Sequence, residues 1–166
     1  MSTMKLLFIC THNRCRSILG EAIANFEGKG LITAKSAGSQ PSGQVHPLTL
    51  HYLELHGFST DGLRSKSWDE LEDFNPDYAI TVCDSAAREA CPLWMGKAKK
   101  IHWGLADPSR LAGEETKIVD EAFSRIIRTL AARIGKISAM LEMGIATDSE
   151  EMQTQLKRLA NYFPQD

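Results

Sequence analysis

A short, unbroken apolar run followed at once by a polar loop constrains this chain most. Residues 4–10 read MKLLFIC and residues 11–17 read THNRCRS. A continuous apolar run of this length suits a strand buried on both faces, the kind found inside parallel sheets. Parallel strands need crossover connections, usually helical. Residues 18–26 supply one, with Ile18, Ala22, Ile23 and Phe26 on one face, closed by Gly28 and Gly30. Residues 31–37 predict a second strand, 78–83 a third and 100–103 a fourth. Between them, residues 48–56 suit a helix opened by Pro47 and stopped by Gly57, and Ser67-Trp68-Asp69-Glu70 reads as a capping box opening a short helix. Residues 114–143 form the longest predicted helix, striped by Ile118, Ala122, Ile126, Leu130, Ile134, Ile137 and Leu141. Residues 147–150 read as another capping box, ahead of a terminal helix striped by Met152, Leu156, Leu159 and Phe163. Strands alternating with helices give an α/β fold: a small parallel four-stranded sheet with helices on both faces, plus an extra C-terminal helix. Ligands of such sheets bind beyond the carboxyl ends of the strands. Cys10 and Cys83 both end predicted strands, so one rim can hold both.

The 166 residues fit a single domain. Hydrophobic residues make up 43% and charged residues 24%, which is globular rather than disordered usage. The formal net charge of -2 lacks the basic excess of a nucleic-acid binder. No apolar stretch approaches the ~20 residues of a membrane span, and the N-terminal one is too short for a signal peptide. The expected compartment is the cytoplasm, where thiols stay reduced. The cysteines at 10, 15, 83 and 91 then read as catalytic groups or metal ligands rather than a disulfide framework. Seven residues separate Cys83 from Cys91, a poor match to the two to four usual between zinc ligands. His46, His51, His56 and His102 show no metal-ligand spacing either, so neither a metal nor a cofactor is expected.

The segment Thr11, His12, Asn13, Arg14, Cys15, Arg16 and Ser17 has the makings of an anion cradle. A tight strand-to-helix loop can turn successive backbone N–H groups inward. The helix behind it adds unpaired donors and its positive dipole end, and Arg16 adds a planar fork for two oxygens of a tetrahedral oxyanion. Cys10 would sit at the centre, as a nucleophilic thiolate. Ser17 can donate to the same sulfur. Asn13 tolerates left-handed backbone and can bond across the loop. His12 can tune Cys10 or face solvent. Cys15 reads as inward-facing filler, with a protective disulfide to Cys10 the lesser alternative. Without its strand–loop–helix setting, Cys10 would be an ordinary buried thiol and Arg16 a surface cation.

LLFICTHNRCRS resembles the phosphate-loop signature of the low-molecular-weight tyrosine phosphatase superfamily. SAGSQPSGQVHP at 36–47, ITVCDSAAREACP at 80–92 and HWGLADPS at 102–109 resemble, more narrowly, the thioredoxin-coupled arsenate reductases of that superfamily. The resemblance spans residues 4–143. It divides the chain into a reductase or phosphatase-like domain over 1–144 and a helical extension over 145–166, packed on the same domain. It implies that Cys10 attacks arsenate held by the loop and Arg16. Cys83 then attacks Cys10 and arsenite leaves. Cys91 attacks Cys83, and a Cys83–Cys91 disulfide passes to a reductant, expected to be thioredoxin. A glutathione–glutaredoxin route stays open. Asp107, ahead of Pro108, resembles the general acid that protonates the leaving oxygen.

Some relatives hold potassium with residues matching Asn13, Glu21 and Ser36. Lys66 stands where a further acidic ligand is expected, so its ammonium would replace the cation and pair with Glu21; an exposed surface lysine is the other reading. Residues 84–90 are helix-prone. On a straight helix, Cys83 and Cys91 would lie about 12 Å apart, beyond the roughly 4.4–6.8 Å that a disulfide spans. Oxidation is therefore expected to unwind this segment. The expected substrate is arsenate, with phosphate or sulfate as competing oxyanions, and the expected state is a monomer with no nucleic-acid or membrane partner. The runner-up is a phosphotyrosine or small phosphomonoester phosphatase, which needs neither Cys83 nor Cys91. A third reading is a non-catalytic oxyanion-binding or thiol-sensing module.

Overall fold

The structure is a computed structural model that describes residues 3–89 and 92–164. Four parallel strands, β1 (Met4–Ile9), β2 (Ile32–Ala37), β3 (Tyr78–Thr81) and β4 (Lys99–His102), lie in the order β2-β1-β3-β4. Leu6, Leu7, Phe8 and Ile9 are all buried, as a central strand covered on both faces requires. The connections reverse at β1: one leads out to β2, and the next returns past β1 to β3. A crevice opens at such a point, beyond the strand ends.

Helices α1 (Arg16–Glu27), α4 (Thr116–Glu142) and α5 (Glu150–Leu159) cover one face. There Phe8 lies so close to Gly20 of α1 that an added Cβ would sit 2.6 Å from its ring. The 3-10 helix Trp68–Phe74 and the short α3 (Asp84–Arg88) lie on the other face. Lys5 and Lys35 reach over the Phe74 ring, and Ala86 and Ala87 line a cleft above Ile9 and Ala79. Helix α2 (Pro47–Leu55) packs beside α4 through Tyr52, whose ring stacks on Phe123 at 4.5 Å. Ser67 and Glu70 form the expected capping box.

Four local expectations are corrected. The stripe on α4 does not start at Ile118, which is 42% exposed; Val119, Phe123, Ile126, Ile127, Leu130, Ile134 and Ile137 are buried. Steps of four residues overshoot a full turn by about 40° each, so Ile118 and Leu141 cannot share a face. Ser149, not Thr147, caps α5, accepting from the Met152 amide at 3.1 Å. The Thr147 carbonyl is engaged outside the helix by the Tyr78 hydroxyl at 2.8 Å. Phe163 lies beyond α5 and is 58% exposed. Residues 84–90 yield a helix of only five residues, with Glu89 already extended at ψ 147.

A buried cation holds the C-terminal segment. Arg133 on α4 is fully buried. Its Nε donates to the Tyr162 carbonyl and its Nη2 to the Ala160 carbonyl, both at 3.1 Å. Its guanidinium stacks over Trp103 at 5.3 Å and Phe163 at 4.9 Å. Burial pulls its pKa down to about 10, leaving it charged at neutral pH. Trp103 Nε1 donates to the Leu156 carbonyl at 2.8 Å. Among the described residues, no helix is long and apolar enough to cross a membrane. Replacing Arg133 by alanine removes these bonds and leaves a void. Stability in urea unfolding should fall by about 2–4 kcal/mol, with earlier proteolytic loss of the terminal segment; unchanged unfolding would show that the guanidinium is not the anchor.

Candidate active site

The chain turns from β1 into α1 through residues 10–15, and the carbonyls of that loop are tied outward. Gln40 N donates to the Thr11 carbonyl at 2.9 Å, Ser42 N to that of His12 at 3.0 Å and His46 N to that of Arg14 at 2.9 Å. Ser65 Oγ and Thr49 Oγ1 add second bonds to the His12 and Arg14 carbonyls. With the carbonyls facing out, the intervening amides are left to face the opposite way. Asn13 has the expected left-handed backbone, φ 45, and is fully buried. Its Nδ2 donates to Ser17 Oγ at 2.8 Å and its Oδ1 accepts from the Lys66 amide at 2.9 Å. Ser17 thus serves the loop through Asn13. No side chain caps α1, and no acidic residue sits in its first turn. His12 Nδ1 lies 3.1 Å from the Gln40 carbonyl at the exposed rim.

Arg16 Nη1 donates to the Leu105 carbonyl at 2.8 Å, and its Nη2 lies 3.9 Å from Asp107 Oδ2. Asp107 caps the 3-10 turn Pro108–Leu111: its Oδ1 accepts from the Ser109 amide at 3.0 Å and hydroxyl at 2.6 Å. That fixes the carboxyl beside the guanidinium. Arg16, Asp107, Cys83 and Arg110 line one cleft of about 360 Å³, with Leu105 and Ala106 as its only apolar walls among the described residues.

Cys10, Cys15 and Cys83 are free thiols. Cys83 follows β3 and reaches the loop: its sulfur accepts from the Thr11 amide at 3.4 Å and lies 3.6 Å from Ser85 Oγ. Cys10 and Cys83 lie close enough to couple. The Cys83 sulfur, with burial, pushes the Cys10 thiol up, against the pull of Arg16. The Cys10 thiol, with the Ser85 hydroxyl and the Thr11 and Ala86 amides, holds Cys83 down to about 4. The two thiols are coupled, and the donors gathered around Cys83 favour charge there over a second charge on Cys10. Burial pushes Cys15 up to about 12, consistent with an inert filler. Cys91 lies outside the described residues.

Lys66 is buried and its Nζ lies 3.4 Å from Glu21 Oε1, which also accepts from Ser36 Oγ at 2.7 Å. The exposed-lysine reading is therefore wrong. Burial pulls Lys66 down, against the pull of Glu21. An ammonium already faces the Glu21–Ser36 pair, so this donor set does not fit a resident potassium ion. Sequence reasoning missed Ser85, Glu89 and Ser109, which act through contacts with no local signature beyond their place beside Cys83 and Asp107.

Residues 5–145 match the low molecular weight phosphotyrosine protein phosphatase family. The chain belongs to that family. A glutaredoxin arsenate reductase of Synechocystis is 30% identical over 133 residues, 78% of this chain and 98% of that one. A thioredoxin-dependent arsenate reductase of Corynebacterium glutamicum superposes with a TM-score of 0.63 at 25% identity; the match covers 86% of this chain and 63% of that longer one. A phosphotyrosine phosphatase of Vibrio cholerae, 19% identical, shares the fold with a TM-score of 0.67 over 86% of this chain and 99% of that one.

The thiol pair has a defined pH signature. Cys83 contributes stability that is complete above the ordinary thiol pKa of about 8.5 and is lost as pH falls through about 4. Cys10 acts oppositely, losing stability once pH exceeds the ordinary value. Carbon-13 titration of the cysteine β-carbons should place the Cys83 midpoint below about 6 and that of Cys10 above about 9. The reverse order would move the charge to Cys10.

Proposed function

We propose that this chain is an arsenate reductase that converts arsenate to arsenite and ends each cycle with two of its thiols oxidised. The observation that carries the reading is the Cys83 sulfur, brought by β3 to the anion loop, where it accepts from the Thr11 amide next to Cys10. Hydrolysis has no use for a second thiolate there, whereas a two-electron reduction needs one. Curated relatives named as arsenate reductases support the same reading. The cleft adds a further argument: an aryl ester needs apolar or aromatic walls for its ring, and Leu105 and Ala106 offer little. A bare tetrahedral oxyanion needs only the loop, Arg16 and hydrogen-bond donors. Phosphate and sulfate share that shape and would compete.

Cys10 bonds to arsenic as its proton passes to the oxyanion, and an arsenate oxygen leaves as water with a further proton from Asp107. Cys83, as a thiolate, then attacks Cys10; the sulfur–arsenic electron pair stays with arsenic, which becomes trivalent and departs as arsenite. Cys91 then attacks Cys83 and releases Cys10. A dithiol protein, in our reading thioredoxin, reduces the Cys83–Cys91 disulfide; the relatives include a thioredoxin-dependent and a glutaredoxin enzyme. Residues 1–144 act as the catalytic unit and 145–166 as an extension on the same domain, a division favoured by the Arg133 contacts. The working state is a cytoplasmic monomer. Lys66 replaces a potassium ion between Glu21 and Ser36, a reading supported by its burial.

One equivalent of arsenate should consume two thiols per arsenite released in a single turnover. Cys83→Ser should release no arsenite. Arsenate turned over without thiol loss would return the chain to ester hydrolysis. Lys66→Met leaves the Glu21 carboxylate without its cation, at a cost of about 3 kcal/mol in urea unfolding. Potassium chloride should restore part of that loss against choline chloride at equal ionic strength, and should leave the native chain unaffected. A potassium response of the native chain would refute the replacement.

A further inference from the structure

The short segment that carries Cys83 has little to hold it in place. Helix α3 is five residues long, too short to persist alone. Its apolar side does not close on the sheet: a cleft of about 250 Å³ lies among Ile9, Ala79, Ala86, Ala87 and Ile101. At its first turn, Asp84 Oδ1 lies 3.1 Å from His102 Nε2, an exposed contact that water screens. At its far end, Glu89 turns back toward the loop, and Thr11 Oγ1 donates to Glu89 Oε1 at 2.7 Å. A short bond to a carboxylate belongs to the stronger class. The same Thr11 Oγ1 lies 2.8 Å from Ser85 Oγ and 3.8 Å from Cys83 Sγ, and the Thr11 amide donates to that sulfur.

We propose that Glu89 is a positioning residue: its carboxylate clasps the Thr11 hydroxyl and so holds residues 84–89 across the anion loop, keeping the Cys83 sulfur in reach of Cys10. Thr11 has one hydroxyl proton, and Glu89 takes it. Ser85 can then share its one proton between Thr11 Oγ1 and the Cys83 sulfur, and one hub ties both ends of the segment to the residue next to Cys10. This role rests on the reductase reading for its chemistry, but the clasp itself does not depend on it.

The test uses the full chain carrying Cys91→Ser, so that the Cys10–Cys83 disulfide accumulates after arsenate is added, and follows that disulfide by rapid quench and mass spectrometry. Glu89→Ala should slow its formation about tenfold or more, as expected when a reacting group loses its placement. Glu89→Gln keeps a carbonyl oxygen for Thr11 and should recover most of the rate. Formation in Glu89→Ala at the parent rate overturns the proposal. So does a Glu89→Gln variant as slow as Glu89→Ala, which would assign the effect to charge alone. Hydrogen exchange without arsenate supplies an independent arm: residues 84–89 should exchange faster in Glu89→Ala, and unchanged protection sinks the clasp. If the parent forms no disulfide with arsenate, the reductase reading fails, and the exchange comparison alone judges Glu89.

Discussion

Backbone amides that converge on one point repel each other, and a chain can keep that shape only if its carbonyls are satisfied elsewhere. Here the segment after β2 does this work, taking the Thr11, His12 and Arg14 carbonyls through Gln40, Ser42 and His46. Asn13 pins the inner turn between Ser17 and the Lys66 amide. Gly38 lets the two layers meet: a Cβ there would lie 2.4 Å from the Thr11 carbonyl oxygen and 2.5 Å from that of Cys10. No side chain fits, so a glycine at the end of β2 is a condition for the loop beside β1. Register, loop and site are therefore one packing problem.

Upon this loop sits a pair of coupled sulfurs. The arrangement separates two demands that one thiol could not meet. Cys10 must lie where the oxyanion arrives, in a position already crowded by a neighbouring charge. Cys83 must be ready once the first bond has formed, and the Thr11 amide and Ser85 hydroxyl favour its ionised form. The cradle thus serves both steps with overlapping donors, because Thr11 belongs to the loop yet bonds the second sulfur.

Much of this was legible in the sequence. The apolar run of β1, the glycines after α1 and the Pro47–Gly57 brackets of α2 placed the elements within a residue or two, since each rests on local chemistry. Asn13 and the Lys66–Glu21 pair were also legible, the first from its tolerance of left-handed backbone and the second from an acidic position filled by a base. The face of α4 was not, because apolar residues on that helix outnumber the positions that can face inward. The donors around Cys83 were not legible either. They depend on residues more than 70 positions apart coming together, with Thr11 and Ser85 both at the sulfur, information that exists only once the sheet has aligned the ends of β1 and β3. Arg133 gave no signal, for a basic residue within a long helix reads as solvent-facing.

Placing Cys83 against the loop that carries Cys10 also bears on how the protein meets oxidants other than its substrate. A peroxide needs no anion cradle and reacts with whichever sulfur is ionised. A sulfenic acid on either sulfur has the other thiol nearby, and condensation to a disulfide is open to it before further oxidation. That disulfide is one the catalytic cycle already resolves. The geometry that commits two sulfurs to one reaction also shields them from irreversible damage.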